Sequence, residues 1–438
     1  MINDPPAFTP GASLEARVIP RLTRRLVPFL FLLYIVAYLD RINVGFAALQ
    51  MQDQLGFSDR VYGAGAGIFF FGYLLFQVPS NLLLQRVGAR RWIAVLMVTW
   101  GIISSCMMLV RTPRDFYALR FLLGVAEAGF FPGIILYLRN WFPAEARART
   151  VAWFMTAVAL SGVVGGPISG ALLGLHHRGL AGWQWMFLME GLPAIVLGIV
   201  VVFSLTDRPE DAAWLPAEER DWLIAMLARE GQPGSAVAAN LPAAFLNLNV
   251  WLLTLVYFGL NTCSYGISLW LPKLIKSLSG FSNFQIGLLT AIPYLLAAIS
   301  MVLVGFHSDR SGERRWHTAA PALLAAAALV AAAYSNSALP MIAAISVAVL
   351  AQHSMFGPFW ALPTSFLRGT AAAAGIALIN SIGNLGGFFG SSIIGIMKSS
   401  TGEFRGGLLV VAAAIGTAGV LALLVRPRKS DSSNTPAT

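Results

Sequence analysis

The chain has 438 residues, 57% of them hydrophobic and 11% charged, with a mean hydropathy of +0.70. Soluble domains carry about 25% charged residues, so a water-soluble globule of this length is excluded. The net charge of +10 lies in short stretches between apolar runs and reads as membrane topology, not nucleic-acid binding.

Residues 1–26 are expected to form a cytoplasmic tail, the first 16 of them disordered, with no cleavable signal peptide. Apolar runs then recur at about the 20-residue length needed to cross a hydrocarbon layer roughly 30 Å thick. The ten-residue alternation of a membrane barrel is absent. Six spans are placed at 27–49, 61–83, 91–111, 116–138, 147–175 and 183–205. A linker at 206–249 carries Trp214, Leu215, Trp222, Leu223 and Leu227 among charges, and reads as a short amphipathic helix on the cytoplasmic surface. Six more spans follow at 250–272, 285–307, 317–337, 339–362, 370–397 and 404–425, then a tail at 426–438. The fold class is therefore an all-α membrane protein of twelve transmembrane helices in two six-helix bundles, 27–205 and 250–425. Cys106 and Cys263 both fall in spans, so neither a disulfide framework nor a metal site is implied.

With both ends in the cytoplasm, the inner side receives Arg17, Arg21, Arg24, Arg25, Arg86, Arg90, Arg91, Arg139, Arg147 and Arg149. It also takes Arg310, Arg314, Arg315, Arg368, Arg426, Arg428 and Lys429, which fits the positive-inside rule for a multi-pass protein of the inner membrane. The halves repeat one plan. Gln85-Arg-Val-Gly-Ala-Arg-Arg-Trp92 after span 2 aligns with Asp309-Arg-Ser-Gly-Glu-Arg-Arg-Trp316 after span 8, and Phe131-Pro132-Gly133 mirrors Gly357-Pro358-Phe359. Parallel six-helix repeats related by an axis along the membrane normal are a transporter architecture.

Few ionisable residues fall inside spans: Asp40 and Arg41 in span 1, Arg120 and Glu127 in span 4, and Glu190 in span 6. Each costs about 2.5–3.5 kcal/mol to insert, so such residues face a partner or a cavity. At 1.5 Å per residue, Asp40 lies about 20 Å in from the cytoplasm and Arg120 about 6 Å below the outer surface. In a layer of about 30 Å the two share a depth, which predicts an Asp40–Arg120 pair. Arg41 and Glu127 are then left to line the cavity, Arg41 as a fork for a carboxylate and Glu127 as a proton carrier. Glu190, beside Trp183 and Trp185, reads as interfacial.

Gly305-Phe-His-Ser-Asp309-Arg310-Ser-Gly312-Glu-Arg314-Arg315 resembles the loop motif G-x-x-x-D-R-x-G-R-[KR] of the major facilitator superfamily. That loop clamps helix ends and tunes the inward–outward switch. In the first copy, which contains Arg86, Asn81 replaces the leading glycine and Gln85 the aspartate, so a charge clamp is expected only at Asp309–Arg310. "YLDRINVGFA" and Arg120-Phe-Leu-Leu-Gly-Val-Ala-Glu127-Ala-Gly-Phe-Phe-Pro132-Gly133 resemble the anion:cation symporter family. The similarity extends through "GNLGGFFG" in span 11. Proton-coupled members import organic anions such as sugar acids, tartrate and phthalate. The resemblance implies that Asp40, Arg41, Arg120 and Glu127 form the substrate and proton machinery. It adds Tyr38 and Tyr73 as substrate contacts, with Asn384 from the second half.

Asn380 stands one turn from Asn384, and Gln352, His353, Trp360 and Thr364 lie on a Pro-interrupted span 10, where broken helices often mark binding sites. His353 either reports proton movement or is merely hydrogen-bonded to a neighbour. Sugar-acid importers of the family carry a glutamine in span 5, where this chain has only Thr156 and Ser161, which favours a smaller acid. "GPFWALPTSFLRGTAAAAGIALINSIGNLGG" is most similar to the tartrate-type permeases.

The expectation is a monomeric symporter that brings a small organic carboxylate such as tartrate into the cell with protons. It is not an enzyme and has no cofactor and no metal. Another organic anion (a sugar acid, phthalate or other aromatic acid), a drug exporter and a non-transporting nutrient sensor are the alternatives.

Overall fold

The computed structural model describes residues 10–229, 245–366 and 369–425, nearly all of them helical. The expected tails at 1–9 and from Arg426 to 438, Arg368, and the side chains of Arg149 and Thr364 lie outside the described residues. Span 1 is α1 (Pro10–Ile42) and, after Asn43, α2 (Val44–Leu55). Helix thus begins at Pro10, inside the stretch expected to be disordered. The reason is packing: Val18, Leu22 and Leu26 recur every four residues and are fully or nearly fully buried.

Spans 2 and 3 are α3 (Asp59–Val87) and α4 (Ala89–Cys106). Span 4 is α5 (Pro113–Glu127) and α6 (Phe130–Trp141), span 5 is α7 (Ala144–Met155) and α8 (Ala157–Leu172), and span 6 is α9 (Gly182–Ser204). The linker holds α10 (Ala217–Arg229). The second half comprises α11 (Leu248–Ser277), α12 (Asn283–Ser311), α13 (Arg315–Ala333), α14 (Ala338–Ser354), α15 (Phe356–Phe366), α16 (Gly369–Gly383), α17 (Leu385–Thr401) and α18 (Arg405–Leu424). Among the described residues, 11 segments are long and apolar enough to cross a bilayer. The fifth expected span, 147–175, is divided at Thr156 and leaves α8 as a shorter apolar helix.

Two of the interruptions have a covalent cause. Proline has no N–H to give the carbonyl four residues back. Pro132 therefore leaves the Ala128 carbonyl without its helical donor, and the chain breaks at Ala128–Gly129, just past Glu127. Pro358 does the same to Ser354, and the break falls at Met355.

Glycines set the closest helix contacts. A Cβ on Gly72 of α3 would strike the Phe121 carbonyl of α5, and one on Gly124 would strike the Phe69 carbonyl in return. Spans 2 and 4 therefore pack backbone to backbone. Gly166 of α8 and Gly287 of α12 make the equivalent approach across the two halves.

The start of α1, the ends of α3 and α6, and the α12–α13 loop share one side of the molecule, the amino face; the opposite side is the far face. The halves meet along α3–α17, α8–α12 and α2–α11. On the far face Lys273 of α11 donates to Gln52 Oε1 (2.6 Å) and Asp59 Oδ1 (2.7 Å), and Lys398 of α17 lies 3.4 Å from Asp59 Oδ2. Tyr62 donates to the Leu269 carbonyl at 2.6 Å, and the seam continues inward through Arg41–Tyr265 to Ser381–Gln77. Outward-facing apolar side chains such as Val196, Ile199, Phe203, Leu303 and Phe306 are exposed, as a lipid-covered surface requires.

On the amino face α10 docks on the first half. Trp214 stacks on Trp141 with centroids 5.5 Å apart, Arg25 lies 4.7 Å over the Trp214 ring, and Arg21 pairs with Glu219 at 2.8 Å. Within the expected clamp loop, Asp309 pairs with Arg314 at 2.6 Å, while Arg310 and Arg86 are exposed. Neighbours on a helix point about 100° apart, whereas the left-handed Gly312 (φ 67°) folds Arg314 back over the last turn of α12. Glu313 then caps α13, accepting from the Trp316 N–H at 2.9 Å and the His317 N–H at 3.2 Å. Burial pushes the other way, but these donors and the His317 ring hold the Glu313 carboxyl below its ordinary range.

Candidate functional site

The charged residues of spans 1 and 4 come together, but not in the expected pairs. Arg41 closes a fork on one oxygen of Glu127, with Nη2 at 2.7 Å and Nε at 3.1 Å from Oε2. The Arg41 side chain is 12% exposed and that of Glu127 is fully buried. The third arm, Nη1, donates to the Tyr265 hydroxyl of the second half at 3.2 Å. Aromatic rings wall the guanidinium: Phe69 at 5.2 Å, Tyr73 at 5.4 Å and Tyr38 at 5.7 Å. Tyr38 also stacks on Tyr265, with centroids 6.5 Å apart. Weakly hydrated, planar guanidinium tolerates such a wall better than ammonium does.

Asp40 faces away from this group. Its Oδ1 accepts from Ser104 Oγ at 2.6 Å and its Oδ2 from Trp100 Nε1 at 3.2 Å, both on α4. Arg120 turns to α3, donating Nη2 to the Ala66 carbonyl at 3.1 Å and lying 5.2 Å from the Phe69 ring. The expected Asp40–Arg120 pair does not form, because a depth counted along the helix leaves the direction of the side chain open. Successive residues diverge by about 100°, so it is Arg41 that turns toward span 4, where it meets Glu127. Glu190 is likewise not interfacial: it is buried in the first half, accepting from Ser169 Oγ at 2.6 Å.

Several buried polar atoms here lack a hydrogen-bond partner among the described residues: Glu127 Oε1 and Arg120 Nε and Nη1. A pair in which one carboxylate oxygen does all the accepting leaves the other lone pairs unsatisfied, at a cost in a low-dielectric interior.

The residues expected from the second half cluster around α11. Trp360 meets the Tyr257 ring edge-on at 4.9 Å, Asn261 donates to the Gly383 carbonyl at 3.2 Å, and Asn384 donates to Asn380 Oδ1 at 3.2 Å. Tyr257, Asn261 and Tyr265 recur every four residues, which sets them on one stripe of an unbroken helix facing the seam. Sequence reasoning missed all three, although that spacing of polar-tipped side chains in an apolar run was the signal. The His353 ring lies 2.8 Å from the Val349 carbonyl through Nδ1, and its Nε2 has no partner.

Chemically, the site offers a guanidinium whose counter-ion is a titratable carboxyl of the same half. When Glu127 takes a proton, Arg41 loses its anion, and the fork can receive another carboxylate in a dry, aromatic-walled space.

The sequence profile of the Major Facilitator Superfamily matches residues 30–391 and 279–438. The chain belongs to the Major Facilitator Superfamily. It is therefore a multi-pass membrane transporter and not an enzyme. Within the superfamily it is 52% identical over 413 residues to a protein of Agrobacterium vitis named "Putative tartrate transporter", covering 94% of this chain and 92% of that one. It is 42% identical over 396 residues to the "Quinolone resistance transporter" of Acinetobacter baumannii, covering 90% and 91%. The fold matches a bacterial homologue of the human lysosomal transporter Spinster with a TM-score of 0.75 at 16% identity, covering 96% of this chain and 97% of the other.

Proposed function

We propose that the chain imports a small organic carboxylate such as tartrate together with protons, by alternating access of its two halves, as a monomer in the inner membrane. The observation that carries this reading is the buried Arg41–Glu127 pair at the seam, with Tyr265 of the other half on the same guanidinium. Protonation of Glu127 exchanges its charge for that of an incoming carboxylate. For one carboxylate group this exchange keeps the electrostatic balance of the empty site, so that group crosses the membrane as no uncompensated buried ion. Arg120, with two free donor groups, and Asp40 extend the proton circuit; Tyr38, Tyr73, Trp360, Asn380 and Asn384 contribute contacts to the substrate. Asp309, Arg310 and Arg86 belong to the switch loops.

Basic residues concentrate on the amino face, from Arg17 to Arg25, at Arg90 and Arg91 and at Arg310 to Arg315, which favours that face as cytoplasmic. The far-face contacts then make this an inward-directed conformation. The Acinetobacter baumannii relative favours a second reading, export of an aromatic drug. Uptake of labelled tartrate into proteoliposomes under an imposed pH gradient separates them. The carboxylate reading expects accumulation that Glu127→Gln abolishes while tartrate exchange persists. Quinolone transport without any carboxylate uptake would establish the rival.

A further inference from the structure

On the far face, two ammonium groups of the second half converge on a single carboxylate of the first. Asp59 follows the N-cap Ser58 at the start of α3, so its position is fixed by the helix end. Each of its oxygens holds one lysine, Lys273 at 2.7 Å and Lys398 at 3.4 Å, and Gln52 Oε1 takes a second bond from Lys273 at 2.6 Å. These side chains are 16–20% exposed, at the lip of the closed mouth. Lys398 also lies 4.2 Å over the Phe404 ring. The cluster therefore holds two cations against one anion, and the anion belongs to the half that must move away when this face opens.

Separation strips both lysines of Asp59 and Gln52 together and leaves two like charges side by side at the entrance. Beside Lys398 the second half already contains a cavity of about 320 Å³, lined also by Arg405, Asn336, Ser335 and Glu403, with Glu403 drawn toward Arg405 at 3.9 Å. A small acid has room there.

We propose that Lys273 and Lys398 form a receiving site for carboxylates at the far-face entrance, which Asp59 occupies as a tethered stand-in while that face is closed. The inference rests on the reading of the chain as a carboxylate carrier. Substrate and Asp59 compete for the same ammonium groups, so an arriving acid takes over the lysines and delays reclosure until it has moved inward. Paired positive charges at a narrow mouth also raise the encounter rate of anions.

The test measures the apparent KM for labelled tartrate from the far face and from the amino face, with full-length protein in vesicles of both orientations, across ionic strength. Replacing both lysines (Lys273→Gln with Lys398→Gln) raises the far-face KM by about tenfold and flattens its salt dependence, with a much smaller change from the amino face. Asp59→Asn lowers the far-face KM, because the competitor is gone. The paired lysine-to-arginine variant restores the wild-type salt dependence. Should the double glutamine variant fail to fold, the aspartate and arginine variants decide. An Asp59→Asn protein with unchanged far-face KM, or a folded lysine-free protein with wild-type KM and salt slope, overturns the proposal. Wild-type vesicles that take up no carboxylate overturn instead the carrier reading on which it rests.

Discussion

The Arg41 guanidinium places two of its nitrogens on one oxygen of Glu127 and a third on Tyr265, while the second Glu127 oxygen goes unused. Lysine keeps the charge but not the fork. Arg41→Lys should therefore weaken tartrate binding by about tenfold or more, since a charge-assisted hydrogen bond is worth about 1.5–3 kcal/mol. Arg41→Ala should abolish binding altogether; thermal shift against a tartrate titration reads both. Removing one partner of a buried pair costs about 3–5 kcal/mol, so Arg41 and Glu127 should show strong coupling in a double-mutant cycle on thermal stability. Asp40→Asn with Arg120→Gln should add within about 0.5 kcal/mol, because the two side chains have separate partners here. Coupling of Asp40 with Arg120 as large as that of Arg41 with Glu127 would count against this assignment. The sequence disclosed which residues are charged in the membrane, since each ion stands out against an apolar run. It did not disclose the pairing. Depth along a helix can be counted, but azimuth depends on how two helices roll against each other, and Asp40 found its donors on α4.

At the scale of the helix, glycines and prolines do the positioning. Backbone contact between α3 and α5 at Gly72 and Gly124 brings Phe69 and Tyr73 to the charged pair. The break after Glu127 falls four residues before Pro132, but it was not read from the sequence, since Pro79, Pro193 and Pro293 sit inside unbroken helices. The break at Asn43 has no proline to announce it. Gly166 and Gly287 are the corresponding contact across the halves, and a side chain there has no space, because a Cβ on Gly166 would lie 2.5 Å from both Gly287 O and Thr290 Oγ1. Gly166→Val should hold the far face open and stop transport. In a protein with Cys106 and Cys263 replaced, a reporter at Ser391→Cys, buried in the far-face seam, should then react severalfold faster with a far-side thiol reagent. Unchanged reactivity would mean that α8 and α12 do not control closure. Linker helix α10 was anticipated as a surface helix joining the halves. Its attachment to α1 and α6 through Trp214, Arg25 and Glu219 required knowing that α1 extends back to Pro10.

For the whole molecule, an all-helical membrane fold could be read from the alternation of apolar runs, and two six-span halves on one plan were expected from the paired loops at Gln85–Trp92 and Asp309–Trp316. Among the described residues 11 segments are long enough to span, and α8 is shorter. Which face the halves close could not be read, because one sequence serves both states of an alternating-access carrier and only contacts distinguish them. Here those contacts run from Asp59, Lys273 and Lys398 on the far face inward to Gln77. The central claim is that a proton on Glu127 releases Arg41 to hold a substrate carboxylate. Tartrate affinity of the purified protein, measured by calorimetry across pH, tests it most directly. The wild type should bind more tightly as pH falls, by up to about tenfold per unit while one proton is taken up with each anion. Glu127→Gln should bind with an affinity that no longer changes with pH. A glutamine variant that keeps the wild-type pH dependence, or a wild type with none, would contradict the claim.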